Sequence, residues 1–159
     1  MSRSPWLSRR EQRAWRTFLT MQRRLSGRVA RELQRETGLS GADYEVLVNL
    51  SEAPEGRLRA FQLGMVTGWE KSRLSHHITR MEDRALVRRA SCPTDNRGAY
   101  VVLTAEGRKA IEAAAPLHVE HVRRWFVDAL TADQLDALAD ISDTILAELG
   151  DDPDPCSSP

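Results

Sequence analysis

Seven side chains suited to polar recognition fall within ten positions: Lys71, Ser72, Arg73, Ser75, His76, Thr79 and Arg80. Leu74, Ile78, Met81 and Ala85 are interleaved with them at intervals of four, three and four, which is one apolar stripe of a helix. At about 100° per residue the opposite face presents short hydroxyls, an imidazole and guanidinium groups, and no large apolar side chain. Such a face can press closely on a polar, anionic partner. Arginine matches the major-groove edge of guanine bidentately, and small hydroxyls permit close approach. Thr67 and Glu70 stand in the spacing of a capping box, so the helix is expected to open there.

A second set follows. Leu86–Cys92 and Ala99–Leu103 read as short strands, separated by Pro93-Thr94-Asp95-Asn96-Arg97-Gly98. Proline, Asp-Asn and glycine predict a turn over 93–98, with Arg97 near its tip. A helix fits a major groove, and a narrow arginine-bearing hairpin can reach the minor groove beside it. Asp95 then holds the tip, by bonding the turn backbone or pairing with an arginine.

Other chemistries find less support. His76 and His77 are adjacent and so point about 100° apart on a helix. His118 and His121 share a face, with Glu120 nearby, but no local Cys or Asp completes a metal set. Surface or interface histidines are the plainer reading. No nucleophile elbow, P-loop, dinucleotide fingerprint or zinc-protease string is present, so no enzyme, cofactor or metal is expected. Cys92 and Cys156 make no disulfide framework, which points to the cytoplasm. No apolar run approaches the roughly 18 residues of a membrane span, and no membrane partner is expected.

The 159 residues make one domain. Their formal net charge is zero, but its distribution is uneven. Residues 1–99 hold 19 Lys+Arg and 11 Asp+Glu, a net +8, and residues 100–159 hold 4 and 12, a net −8. A basic half can be steered toward phosphate despite a neutral total.

The elements that must position these groups follow in order. Residues 1–7 are a tail. Ser8 and Glu11 form a capping box, opening a helix to about Thr37 that Gly38 stops. Along it Trp15, Phe18, Gln22, Leu25, Val29 and Leu33 keep helical spacing; nine arginines cover much of the remainder, where they solvate the helix or, near Arg28 to Arg35, could touch phosphate. Ser40 caps a helix in which Tyr44, Leu47 and Leu50 face inward, and Pro54 and Gly56 end it. Leu58–Val66 is a short helix; with the turn Thr67-Gly68-Trp69 and the next helix it forms a helix-turn-helix unit. From Thr104 a helix is expected to about Leu130, kinked or restarted at Pro116. Thr131 and Gln134 cap an acidic last helix striped with Leu135, Leu138, Ile141, Ile145 and Leu149. Residues 151–159 are polar, Pro-rich and expected to be disordered.

The ordered set of helix, Leu86-Val87 strand, Asp95-x-Arg97-Gly98 turn and Leu103-Thr104 strand end resembles the MarR family of bacterial transcriptional regulators. The likeness covers roughly residues 8 to 147, with one departure at Ala85, where many members carry glycine. It implies a mainly α fold with a small β-hairpin wing: a winged helix-turn-helix at 40–103, within a domain spanning 8–150, flanked by dimerisation helices at 8–37 and 104–149. The apolar surplus of the terminal helices could pack within one chain, but the resemblance implies a homodimer on duplex DNA with an inverted-repeat operator. It also implies a repressor, associated with the nucleoid, released by a small aromatic effector. Lining candidates for that effector are Trp15, Phe18, Tyr44 and His118, each equally readable as core. The alternative is a winged-helix interaction or ligand-binding module that does not read DNA.

Overall fold

A computed structural model describes the backbone of residues 5–92 and 95–150, with side chains except over 92–98. The order is α1 (Arg9–Thr37), α2 (Gly41–Glu52), β1 (Arg57–Arg59), α3 (Ala60–Thr67), α4 (Lys71–Asp83), β2 (Val87–Cys92), β3 (Asp95–Leu103), α5 (Ala105–Trp125) and α6 (Ala132–Leu149). Short 3-10 turns lie at Pro54–Gly56 and Val127–Ala129.

Three helices open on the capping boxes visible in the sequence. Ser8 pairs reciprocally with Glu11, Ser40 with Asp43 and Thr131 with Gln134, each satisfying two otherwise free backbone N–H groups. Gly38, at φ 74°, ends α1 in the left-handed conformation that glycine adopts without steric cost. The spacing of Thr67 and Glu70 misleads. Thr67 is the last residue of α3, and its hydroxyl donates back to the Leu63 carbonyl at 2.7 Å. Gly68 then takes φ 65° and closes α3, while Glu70 sits at the start of α4 without a side-chain cap bond. The left-handed glycine turns Thr67 away from the helix it was expected to open.

The sheet is larger than a hairpin. Its three antiparallel strands run in the order β1-β3-β2, with Leu58 opposite Val101 on one side and Arg89 opposite Val101 on the other. The segment read as the start of the third helix is therefore strand β1, and α3 begins only at Ala60. Three residues, polar-apolar-polar, are too few to show a period, and the open edge of β3 recruits them. The second wing strand is also longer than expected. β3 starts at Asp95, and Cys92 lies opposite it, so Asp95 and Arg97 belong to the strand rather than to a turn over 93–98. Ladder pairing overrides local turn composition there. Pro93 and Thr94 lie outside the described residues, as does the expected disordered tail at 151–159.

Two further boundaries move. Ala85 is not part of the apolar stripe; it is exposed, beyond the end of α4, with φ 58°. α5 runs through Pro116 as one helix without restarting, and it stops at Trp125 rather than Leu130 because Phe126 departs to φ −129°.

The core gathers Leu33 of α1, Val46, Leu47 and Leu50 of α2, Leu63 of α3, Leu74, Ile78 and Met81 of α4, Val87 and Val101 of the sheet, and Ile111 and Ala114 of α5. Only the C-terminal part of α1 joins it. Trp15, Phe18, Leu19 and Met21 stay exposed, and α6 has no buried residue at all. No described helix is long and apolar enough to cross a membrane.

Candidate nucleic-acid interface

Helix α4 is fastened to the body by Leu74, Ile78 and Met81, which are almost wholly removed from solvent. Burying three such side chains contributes roughly 1.5–3 kcal/mol each. That fixes the roll of the helix and turns Lys71, Ser72, Arg73, Ser75, His76, Thr79 and Arg80 outward; all seven are exposed. Glu70, Lys71, Ser72, Ser75 and His76 line a shallow open depression at the N-terminal end of the helix.

The arginines on this face are held, not loose. The Arg73 guanidinium lies 4.2 Å from the centre of the Trp69 ring, a cation–π contact. Arg80 Nη2 donates to His77 Nδ1 at 2.9 Å. His77 is buried, with its ring edge-on to Trp69 at 5.2 Å. Its Nε2 lies 3.0 Å from Asp43 Oδ1, an ion-pair distance but out of line for a hydrogen bond. Asp43 closes the capping box of α2 with Ser40 and is buried as well; its Oδ2 accepts from Arg84 Nη1 at 2.7 Å. Arg84 also donates to the Gly38 carbonyl at 3.1 Å. A chain of polar contacts thus ties the start of α2 to the end and the underside of α4.

A second clasp comes from the sheet. Arg89 of β2 pairs with Glu82 and donates through Nη2 to the Ser75 carbonyl and the Thr79 hydroxyl, at 2.9 and 3.2 Å. The Arg89 backbone N–H also reaches Glu82 Oε1 at 2.7 Å. Thr79 therefore has its hydroxyl engaged on both sides, since it also donates to Ser75 O at 3.1 Å.

Burial sets the electrostatics of this base. Burial alone would raise the Asp43 carboxyl, but hydrogen bonds from Arg84 and Ser40 and the charge of Arg84 bring it below its ordinary value. Burial lowers the His77 imidazole, and the Asp43 charge only partly opposes that. Burial raises the Glu45 carboxyl of α2, against the opposing pull of Arg73.

The wing residues Asp95 and Arg97 stand in β3 two positions apart; their side chains lie outside the described residues. The four effector candidates form two separate pairs. Trp15 and Phe18 stack at 6.1 Å on the exposed part of α1, while Tyr44 and His118 stack at 4.3 Å where α2 meets α5. Glu36 of α1 bonds His121, one turn along α5 from His118. Phe18 is 18 residues before Glu36, so the pairs lie roughly 27 Å apart along the helix. Burial raises the Tyr44 phenol, helped by Glu52, and lowers the His118 imidazole, helped by His121. Among the described residues no His, Cys, Asp and Glu cluster is arranged for a metal.

Sequence reasoning missed Trp69, His77, Asp43, Arg84 and Arg89 as parts of the interface. The steps of four from Trp69 to Arg73 to His77 are a legible sign. The link from Asp43 to Arg84, 41 positions apart, has none.

A model of the MarR family matches residues 15–98. Over 64 residues the chain is 49% identical to the transcriptional regulator HosA of Escherichia coli O111:H-, covering 40% of this chain and 47% of HosA. The chain thus spans about half the length of the curated relatives it matches. AbsC, a MarR family transcriptional regulator from Streptomyces coelicolor, is 43% identical with a TM-score of 0.86, covering 92% of this chain and 98% of AbsC. Sco3205 from the same organism, a MarR family regulator solved in complex with DNA, is 37% identical with a TM-score of 0.86, covering 91% and 94%. By the family match over residues 15–98 and the full-length likeness to AbsC, this chain belongs to the MarR family.

Proposed function

We propose that the protein is a sequence-specific, duplex-DNA-binding transcriptional regulator that works as a homodimer. The observation that carries this reading is the exposed Lys71–Arg80 face of α4, rolled outward by a buried stripe and braced from both α2 and β2. The likeness to Sco3205, which binds DNA, supports it. In this reading α4 lies in a major groove, where Ser72, Arg73, Ser75, His76 and Arg80 meet base edges and flanking phosphates. Lys71 lies at the helix start, whose N–H groups Glu70 leaves uncapped, and a phosphate suits both. Arg97 of β3 enters the adjacent minor groove, steadied by Asp95.

The exposed apolar residues of α6 and of the N-terminal half of α1 supply the dimer surface, and two-fold symmetry then presents two reading helices to an inverted repeat. Release by a small aromatic effector is the regulatory part of the proposal, as expected of a repressor in the cytoplasm acting at the nucleoid. The half-buried Tyr44–His118 stack is the better-placed lining pair, because it sits at the seam between α5 and the reading unit.

An electrophoretic shift on the DNA upstream of the gene tests the function. Specific retardation of that duplex over a scrambled one is expected, and equal binding of both would refute it. Arg97→Ala tests the wing: affinity should fall for many sequences, and the dependence on salt should become shallower by about one unit of slope. An unchanged slope would make the wing a structural element only.

A further inference from the structure

We propose that His77 is a positioning residue for base reading: it takes the guanidinium of Arg80 on Nδ1 and so fixes which base pair Arg80 addresses. The inference rests on α4 being the DNA-reading helix.

The geometry defines the state of the ring. Arginine is a donor only, so His77 Nδ1, 2.9 Å from Arg80 Nη2, must be the unprotonated acceptor. The ring proton is then on Nε2, which lies 3.0 Å from Asp43 Oδ1. Asp43 is itself fixed, by the Ser40 backbone N–H at 2.9 Å and by Arg84. Trp69 stands perpendicular to the imidazole, with ring centres 5.2 Å apart. The imidazole therefore cannot turn without breaking contacts on three sides. Around it the charged groups are Asp43 of α2, and Arg73, Arg80 and Arg84 on or just beyond α4.

Packing alone does not explain a histidine here. An aliphatic side chain would fill the volume without leaving a buried Nε2 that has no aligned hydrogen bond. What the imidazole offers that leucine cannot is an acceptor aimed at an exposed arginine. A guanidinium has five N–H donors, and the bond to His77 uses one. The other four are not used by that bond, and the exposed head group that carries them is already held at one point. Ordering Arg80 beforehand removes part of the entropy cost of ordering it on DNA.

The test is selection of binding sites from random duplexes by folded, full-length variants. Arg80→Ala should lose preference at one base pair in each half-site, where the parent discriminates about tenfold. His77→Leu, which keeps the volume but removes the acceptor, should lose preference at that same base pair. His77→Asn should retain it, because its Oδ1 stands where Nδ1 does. The double variant Arg80→Ala with His77→Leu should lose no more than either alone. Should His77→Leu fail to fold, His77→Gln, whose amide reaches toward Asp43 instead, takes its place. The proposal falls if the acceptor-less variant returns the parent motif, weakens all positions uniformly, or adds its loss to that of Arg80→Ala. If Arg80→Ala leaves the motif intact while duplex is still bound specifically, the proposal falls and the reading of α4 stands. If no variant nor the parent distinguishes any duplex, both fall.

Discussion

Ala85 occupies a conformation that its side chain disfavours. Its φ of 58° lies in the left-handed region, where a Cβ crowds the following carbonyl at a cost of roughly 1–2 kcal/mol. Because Ala85 is exposed and packs nothing, Ala85→Gly should raise stability by about 0.5–1 kcal/mol, read as a higher urea midpoint at unchanged m. The buried imidazoles make a prediction of another kind. Burial holds His77 and His118 below the ordinary value of 6.5, so the unfolded chain binds more protons than the folded one. Their contribution to stability is complete above about pH 6.5 and is lost as pH falls below it. Asp43 acts lower: its contribution is present above 3.8 and is lost only as pH falls through its lowered value. The melting temperature should decline between pH 7 and 5, and His77→Asn should decline less steeply. An equal slope in that variant would assign the acid sensitivity elsewhere.

Among the elements, the corner between the wing and α5 is the tightest. The Thr104 hydroxyl donates to the carbonyls of Ala85 and Leu86, at 2.6 and 2.9 Å, and accepts from the Gly107 N–H. A Cβ on Gly107 would stand 2.0 Å from the Leu86 carbonyl oxygen, which is backbone and cannot swing aside. Gly107→Ala should therefore cost about 2–4 kcal/mol, as overpacking against backbone does, and lower the urea midpoint accordingly. A variant as stable as the parent would show that α5 can shift at no cost. The same elements show what was legible beforehand. Helices with a reciprocal cap and a long apolar stripe, α1, α2 and α6, are plain in the sequence because the signals are local. The Thr67–Glu70 spacing fails because Gly68 intervenes, and β1 is invisible because its only reason for being a strand is β3, some forty positions away. Lys71 to Arg80 could be read as one outward face from the stripe behind them. That Arg73 and Arg80 rest on Trp69 and His77 follows from steps of four and three along the chain, but that Asp43 anchors the set, with Arg84 41 positions away, depends on tertiary neighbours that no window contains.

For the molecule as a whole, the apolar side chains left outside are the dimer surface of the proposed function. Ile141 and Ile145 are 56% and 52% exposed in one chain, so charging them should cost a lone protomer little. Ile141→Lys combined with Ile145→Lys should instead convert the proposed homodimer to a monomer in sedimentation experiments and abolish tight binding to an inverted repeat. A double variant that stays dimeric would place the dimer surface elsewhere. Helix α6 also bears on how the protein comes to be folded at all. It has 18 residues, none of them buried within its own chain, and an isolated helix only a few residues shorter is marginal in water. In the proposed homodimer its order is then reinforced by mass action. On that proposal the last helix frays at low concentration, and meeting a second copy completes its folding. The melting temperature should accordingly climb with protein concentration, and a cell that makes too little of the protein would lose the order of α6 along with the proposed dimer.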